Sequence, residues 1–148
     1  ICRSPAAEAL FIKKIKEKGI EDRFLVDSAG TGSWHVGKKS DLRMRLAAKN
    51  RKINITSKAR QISKNDFQKF KYILTMDDSN YKNVISLKNK ETHSYSCEVR
   101  KIQEFANSFQ EKEVPDPYFG GEEGFDYVLD ILNDSISGFL DHIFKNHF

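Results

Sequence analysis

The sequence predicts an α/β protein with an open parallel sheet, and three observations carry that prediction. Segments at helical spacing alternate with short runs of β-formers, in the order helix, strand, helix, strand, strand, helix. The run Tyr72-Ile73-Leu74-Thr75-Met76 is stopped by the polar residues Asp77-Asp78-Ser79-Asn80, as a strand in such a sheet would be. The chain closes on a long stretch in which Phe125, Val128, Leu129, Leu132, Ile136, Phe139, Leu140 and Ile143 recur at helical spacing. A length of 148 residues suits one domain with a sizeable core.

Taken in order, Ser4-Pro5 reads as a helix start, with serine as cap and proline pre-shaped for the first helical position. Ala6, Ala9, Leu10, Ile12 and Ile15 supply its apolar face and Gly19 its stop. Arg3 is thereby placed in a loop at a helix N-terminus. There, amide groups, the positive end of the dipole and a planar guanidinium all favour phosphate-like oxygens. Phe24-Leu25-Val26 reads as a short buried strand leading into the small-residue loop Asp27-Ser28-Ala29-Gly30-Thr31-Gly32. Trp34, in Ser33-Trp34-His35-Val36-Gly37, either covers the edge of the core or walls a pocket, and His35 beside it has a supporting role at most. Ser40-Asp41 caps a helix through Leu42, Met44, Leu46 and Ala47 whose outer face is rich in Arg and Lys.

Ser63-Lys64-Asn65-Asp66 has the form of a capping box, with Phe67 and Phe70 facing inward. Asp77 to Asn80 fall at the carboxyl end of a strand, where open sheets place their ligands, and they also serve as a cap for a helix bearing Val84, Ile85 and Leu87. His93 and Cys97 lack partners at metal-ligand spacing. Val99 to Phe105 contains the last strand. In Val114-Pro115-Asp116-Pro117-Tyr118-Phe119-Gly120-Gly121 two prolines hold an aspartate in a shaped loop. By turn habits alone Asp116 is a turn former, but the aromatics that follow it need something to cover.

Composition narrows the function classes. Net charge is +4 with a pI near 9.0, yet 25 basic residues are interleaved with 21 acidic ones and no basic tail or aromatic-basic repeat occurs. That argues against a nucleic-acid partner. No apolar run approaches the length of a membrane span, so no membrane partner is expected. Two cysteines do not suggest a disulfide-stapled secreted domain, and a reducing cytoplasm is the simpler setting.

Ile1-Cys2-Arg3-Ser4-Pro5 followed by Ala-Ala-Glu-Ala resembles the second half of the phosphate-binding loop of the low-molecular-weight protein-tyrosine phosphatases. Four further stretches resemble that family in order: Asp27 to Gly37, Thr56 to Gln61, Met76-Asp77-x-Ser79-Asn80 and Asp116-Pro117-Tyr118-Phe119-Gly120-Gly121. The resemblance implies a four-stranded parallel sheet of flavodoxin-like order with helices on both faces. It also implies a nucleophilic cysteine five intervening residues before Arg3, hence upstream of Ile1. Neither cysteine of the chain fits that spacing, since Cys2 leads to Glu8 and Cys97 to Gln103. The expectation is therefore a single domain over 1–148, incomplete at the N-terminus, lacking the nucleophile and the first, central strand, poorly stable and inactive by itself.

In the parent protein the resemblance makes Arg3 the gripper of phosphate oxygens and Asp116 the general acid. Ser4 would hydrogen-bond the sulfur, and Cys2 would pair with the nucleophile under oxidation. Ile1, Trp34, Tyr118 and Phe119 would line a slot for a phosphotyrosine ring. Ser57, which stands where many members carry histidine, would support the phosphate loop together with Asp77, Ser79 and Asn80. The implied substrate is a tyrosine-phosphorylated protein or a small aryl phosphate, with inorganic phosphate as product and inhibitor and with no metal or other cofactor. The scaffold also carries arsenate reductases, whose relay cysteines are missing between Asp77 and Tyr95. It carries protein-arginine phosphatases too, which have threonine where Ile1 stands and lack the paired aromatics. A non-catalytic phosphate-binding module is the alternative from another class.

Overall fold

In the computed structural model, which describes residues 3–32, 36–89, 96–117 and 121–148 and all of their side chains except that of Glu122, helices pack on both faces of a parallel ladder. The first helix, α1, spans Arg3–Glu17 and buries Pro5, Ala6, Leu10, Phe11 and Ile15, the positions that 3.6-residue spacing brings to one side. It begins at Arg3, so Arg3 belongs to the first turn instead of the preceding loop. Pro5 is tolerated there because first-turn amides have no partner within the helix. Gly19 ends the helix at φ +66° while the Ile20 amide reaches back to the Ile15 carbonyl at 3.0 Å, a left-handed cap that glycine adopts without strain.

After a 3-10 turn at Glu21–Arg23 the chain is extended at Phe24, φ −129° and ψ 143°, but it joins no ladder. Among the described residues the strand expected at Phe24–Val26 does not form, because extended backbone becomes a strand only beside a hydrogen-bonding neighbour about 4.8 Å away. Phe24 to Val26 and Tyr72 to Met76 instead line a common cavity of about 1000 Å³, and Leu25 is 62% exposed.

Helix α2, Leu42–Asn50, starts as expected: Asp41 caps it, its carboxylate accepting the Arg43 amide at 2.8 Å. Its buried side is Met44, Ala47 and Ala48, whereas Leu42 and Leu46, one turn apart, face solvent. A one-turn helix, α3, covers Asp66–Lys69 and buries Phe67; Phe70 falls at its C-cap, half-buried. Strand β1, Tyr72–Thr75, pairs in parallel with β2, Glu98–Lys101, in the register Tyr72 with Glu98 through Thr75 with Lys101. Between them runs α4, Asp78–Asn89. The last strand thus falls in the first part of the stretch expected to contain it, and Ile102–Phe105 then turns into a 3-10 segment that buries Ile102 and Phe105. The last helix, α5, spans Glu122–His147, about 39 Å at 1.5 Å per residue.

Among the described residues the sheet is thus two-stranded and not four-stranded, while its parallel sense and its covering on both faces are as expected. The alternation of a strand explains the two layers. Tyr72 and Leu74 pack into the larger core, with Leu10, Ile15, Met44, Met76 and the inner face of α5, whereas Ile73 packs into a smaller one with Phe67, Val84, Cys97 and Val99. Each large apolar side chain so buried contributes about 1.5–3 kcal/mol. No helix among the described residues is long and apolar enough to cross a membrane.

Two contacts fix α5 against the segment after β2. Asp134 accepts the amides of Asn107, Ser108 and Phe109 at 3.0, 3.0 and 3.2 Å. Partial burial opposes its charge, but the three N–H donors outweigh that and hold the carboxyl below its ordinary range. A Cβ built on Gly138 would stand 1.8 Å from the Phe105 carbonyl oxygen, so the helix touches backbone there and only glycine fits. Gly138→Ala should therefore lower stability by about 3 kcal/mol, near the upper end for overpacking, although alanine is the better helix former. Urea unfolding measures this, and a stabilised variant would show that α5 does not approach so closely.

Candidate active site

The site is built where α1 begins, beside the carboxyl end of β1. Arg3 Nη1 donates to Asp77 Oδ2 at 2.7 Å and to the Val114 carbonyl at 2.8 Å, with only 14% of the Arg3 side chain and 20% of that of Asp77 exposed. Asp77 also accepts the Asn80 amide at 2.8 Å through its other oxygen, so one carboxylate both caps α4 and holds the arginine. Because Nη1 makes both bonds, Nε and Nη2 of Arg3 make none with a described residue in the structure and keep their donors for an anion.

The loop that carries Asp116 is fastened to the same end of β1. The Val114 amide donates to the Met76 carbonyl at 2.8 Å, and the Asp78 amide to Glu113 Oε2 at 2.8 Å. Val114 and Pro117 are buried, and a Cβ on Gly124 of α5 would meet Pro117 at 3.4 Å. Between these anchors Asp116 is exposed, and with Arg3, Ser4 and Asn80 it lines the 1000 Å³ cavity. A guanidinium, a carboxyl group and a hydroxyl lining one cavity are groups that can bind a phosphate monoester and exchange a proton with it.

Opposite them, residues 27–32 form the wall. The Gly30 amide donates to the Arg60 carbonyl at 2.8 Å, and the Ile62 amide returns to the Gly30 carbonyl at 2.8 Å. The Arg60 side chain binds Asp27 at 3.0 Å and grips both oxygens of Asp66 at 3.0 and 3.1 Å. The Ala59-Arg60-Gln61 stretch thus braces this wall. Ser57, expected to brace the phosphate loop, is not among the residues lining the cavity. Its hydroxyl is buried without a partner at hydrogen-bonding distance, yet lies near enough to Glu8 to help that carboxylate stay charged. Burial nevertheless pushes the Glu8 carboxyl up, Ser28 and Ser57 offsetting it only in part.

Of the other sequence-derived candidates, Ser79 is exposed in the first turn of α4 and does not line the cavity. Ile1, Cys2, Trp34, His35, Tyr118 and Phe119 lie outside the described residues, as does His93. Burial raises the Cys97 thiol, which marks it as a packed, unreactive group. Glu8, Ser28 and Asp66 were not singled out from the sequence. The signal for Glu8 was a lone acid amid alanines on an otherwise apolar helix face.

The family model described as low molecular weight phosphotyrosine protein phosphatase matches residues 1–147. The chain belongs to that family. A low molecular weight phosphotyrosine protein phosphatase of Schizosaccharomyces pombe is 40% identical over 144 residues, covering 97% of this chain and 90% of that protein. The enzyme of that name from Gallus gallus is 36% identical over 143 residues, covering 95% and 88%. The crystal structure of a protein tyrosine phosphatase from Entamoeba histolytica superposes with a TM-score of 0.92 at 37% identity, over 100% of this chain and 93% of that one. A Drosophila arginine phosphatase superposes with a TM-score of 0.92 at 31% identity, over 99% and 93%. Membership of a phosphatase family accords with the convergence of Arg3 and Asp116 on one cavity.

Two outcomes test the site. Asp77→Ala should cost about 2 kcal/mol, from the lost cap and the lost charged hydrogen bond, whereas Asp77→Asn keeps a side-chain acceptor for the Asn80 amide and should cost about half of that. Chemical denaturation of both variants measures the split, and equal losses would assign the stability to the ion pair alone. Glu8 titrates with the opposite sign to Asp134. Its folded-state pKa is raised, so the folded protein binds the proton more tightly and stability falls as pH rises from the unfolded value through the folded one. Glu8→Gln should therefore be more stable than the native protein at pH 8, with the difference shrinking toward pH 4.5, as melting curves across that range will register.

Proposed function

We propose that the protein hydrolyses phosphotyrosine and other aryl phosphate monoesters through a cysteinyl phosphate, with residues 1–148 forming most of a single domain whose nucleophilic cysteine lies upstream of Ile1. The observation that carries this reading is the convergence of Arg3, held by Asp77 and the Val114 carbonyl, with Asp116 on one cavity. Family membership gives the reaction class.

In the first step the upstream thiolate attacks phosphorus; the S–P bond forms, and the bond from phosphorus to the aryl oxygen breaks. Asp116, protonated, gives its proton to the departing phenolate. Nε and Nη2 of Arg3, with the amides at the start of α1, hold the equatorial oxygens as charge redistributes over them. In the second step Asp116, now a carboxylate, takes a proton from water while that water attacks phosphorus. The S–P bond breaks, inorganic phosphate leaves, and the thiolate is restored. Ser4 supplies a hydroxyl donor to the sulfur, and Cys2 offers a reversible disulfide partner when the thiolate is oxidised.

On this reading Ile1, Trp34, Tyr118 and Phe119 are the residues assigned to the phosphotyrosine ring, His35 has a supporting role, and the apolar character of the set favours an aryl phosphate over phosphoarginine. Ser57, Asp77, Ser79 and Asn80 support the loops. The chemistry so written uses no metal or other cofactor. A thiolate of this kind works in a reducing compartment, and we assign the protein to the cytoplasm.

The cavity lined by both Phe24 to Val26 and Tyr72 to Met76 supports a further part of the reading, in which a strand preceding Ile1 lies between the two and completes a four-stranded sheet. Extended backbone at Phe24 is the conformation such a neighbour requires.

The test uses the protein extended upstream of Ile1 and measures turnover of an aryl phosphate. Asp116→Asn should reduce kcat by about a hundredfold or more, the size expected for removal of a general acid. The 148-residue chain itself should show no turnover. An extended protein that folds and binds inorganic phosphate without turnover would replace this reading with a non-catalytic phosphate-binding module.

A further inference from the structure

The charge of the chain is not as evenly spread as its alternating composition suggests. Residues 36–58 hold eight Lys and Arg against a single acid, Asp41, a net +7 in a chain whose total is +4. Part of that charge is already committed: Arg43 binds Asp41, and Arg51 binds Asp126 and Asp130. Lys38, Lys39, Lys49, Lys52 and Lys58 are exposed and form no ion pair with a described residue in the structure.

Several of these cations lie close along the chain to exposed apolar side chains. Lys38 and Lys39 run beside Lys58 and Ala59, with a bridge from Lys39 to Lys58 and the Ala59 amide bonded to the Lys38 carbonyl at 2.7 Å. Leu42 and Leu46, 57% and 53% exposed, stand one turn apart on α2, and Lys49 follows Leu46 at the next position of that side. The patch also adjoins the site. Val36 lines the cavity that holds Arg3 and Asp116, and the Arg43 guanidinium lies 4.7 Å over Phe125, next to the Gly124 that abuts Pro117.

Resting on the phosphatase reading, we propose that this face, chiefly Lys38, Lys39, Leu42, Leu46 and Lys49, docks an acidic segment of a protein substrate that flanks its phosphorylated tyrosine. Charge complementarity selects the acidic side chains and steers the encounter. The leucines, about 5–6 Å apart at their Cβ atoms, match alternate side chains of an extended peptide, which lie about 6.8 Å apart. The charge would equally attract a bilayer or a polynucleotide, but the side chains favour neither. Two leucines bury less than the one acyl chain that holds a protein to membranes only marginally. Residues 36–58 contain no aromatic side chain on which a base could stack.

The experiment takes the upstream-extended protein and two phosphotyrosine peptides, one flanked by Asp, Glu and Leu and the other by Ser and Lys. We expect kcat/KM to favour the acidic peptide by about tenfold in low salt, with the preference collapsing at high ionic strength. The variant Lys38→Glu, Lys39→Glu, Lys49→Glu should lose the preference, and Leu42→Ser, Leu46→Ser should reduce it. Both should keep native turnover of a small aryl phosphate. Equal kcat/KM for the two peptides overturns the proposal, as does a parallel loss on the small substrate. Binding to anionic vesicles or to RNA that the triple variant abolishes, with no peptide preference, assigns the face to that surface instead. If the extended protein turns over no aryl phosphate, the phosphatase reading fails separately. Fluorescence anisotropy with the unphosphorylated acidic peptide then decides the docking face, and absence of binding overturns it.

Discussion

The guanidinium of Arg3 is the interaction on which the arrangement of the site depends. Through one nitrogen it joins three parts of the chain that are far apart in sequence: the start of α1, the cap of α4 at Asp77 and the loop that carries Asp116. Each partner is also fixed independently, α1 by its packing on α5 and the Asp116 loop by the Val114 amide on Met76 and by Pro117 against Gly124. The arginine is therefore oriented before any ligand arrives. Such preorganisation means that binding an anion orders little that was mobile, and more of the contact energy appears as affinity.

The ladder positions these pieces by its alternation. Tyr72 and Leu74 face one core and Ile73 the other, so β1 is gripped on both sides and its carboxyl end is held still. From that end issue Asp77, which binds Arg3, and the Met76 carbonyl, which binds the Asp116 loop. The opposite wall is held by the backbone bonds of Gly30 to Arg60 and Ile62 and by the Arg60 side chain, which shares its donors between Asp27 and Asp66. Both sides thus carry an ion pair, and salt screens the more exposed Arg60 pairs more than the largely buried Arg3–Asp77 pair.

What the sequence made legible follows the range of the forces involved. Local signals read correctly: the Asp41 cap, the glycine stop of α1, β1, and the helix of 26 residues at the C-terminus are each written in neighbouring residues. Readings that depended on a distant partner fared worse. Phe24-Leu25-Val26 has strand composition but no ladder neighbour among the described residues. Leu42 and Leu46 looked inward by hydrophobicity, yet the 100° step of a helix lets only one side of α2 face α5, and Met44, Ala47 and Ala48 took it. Arg3 and Asp116 were singled out through motifs, and the structure brings both to one cavity. The pairing of Arg3 with Asp77, 74 positions away, had no local signal, and Glu8 stood out among its neighbours but nothing local pointed to Ser28 and Ser57 as its partners.

The pairing of α1 with α5 has a consequence for how the protein is made. The apolar face of α1 finds its main cover on a helix that begins at Glu122, so about a hundred residues must be synthesised before Leu10, Phe11 and Ile15 can be buried, roughly 5 to 20 s at common elongation rates. During that interval the emerging chain displays an amphipathic helix with nothing to cover it. Exposed apolar surface of that kind is what nascent-chain chaperones shield, and the arrival of α5 removes it.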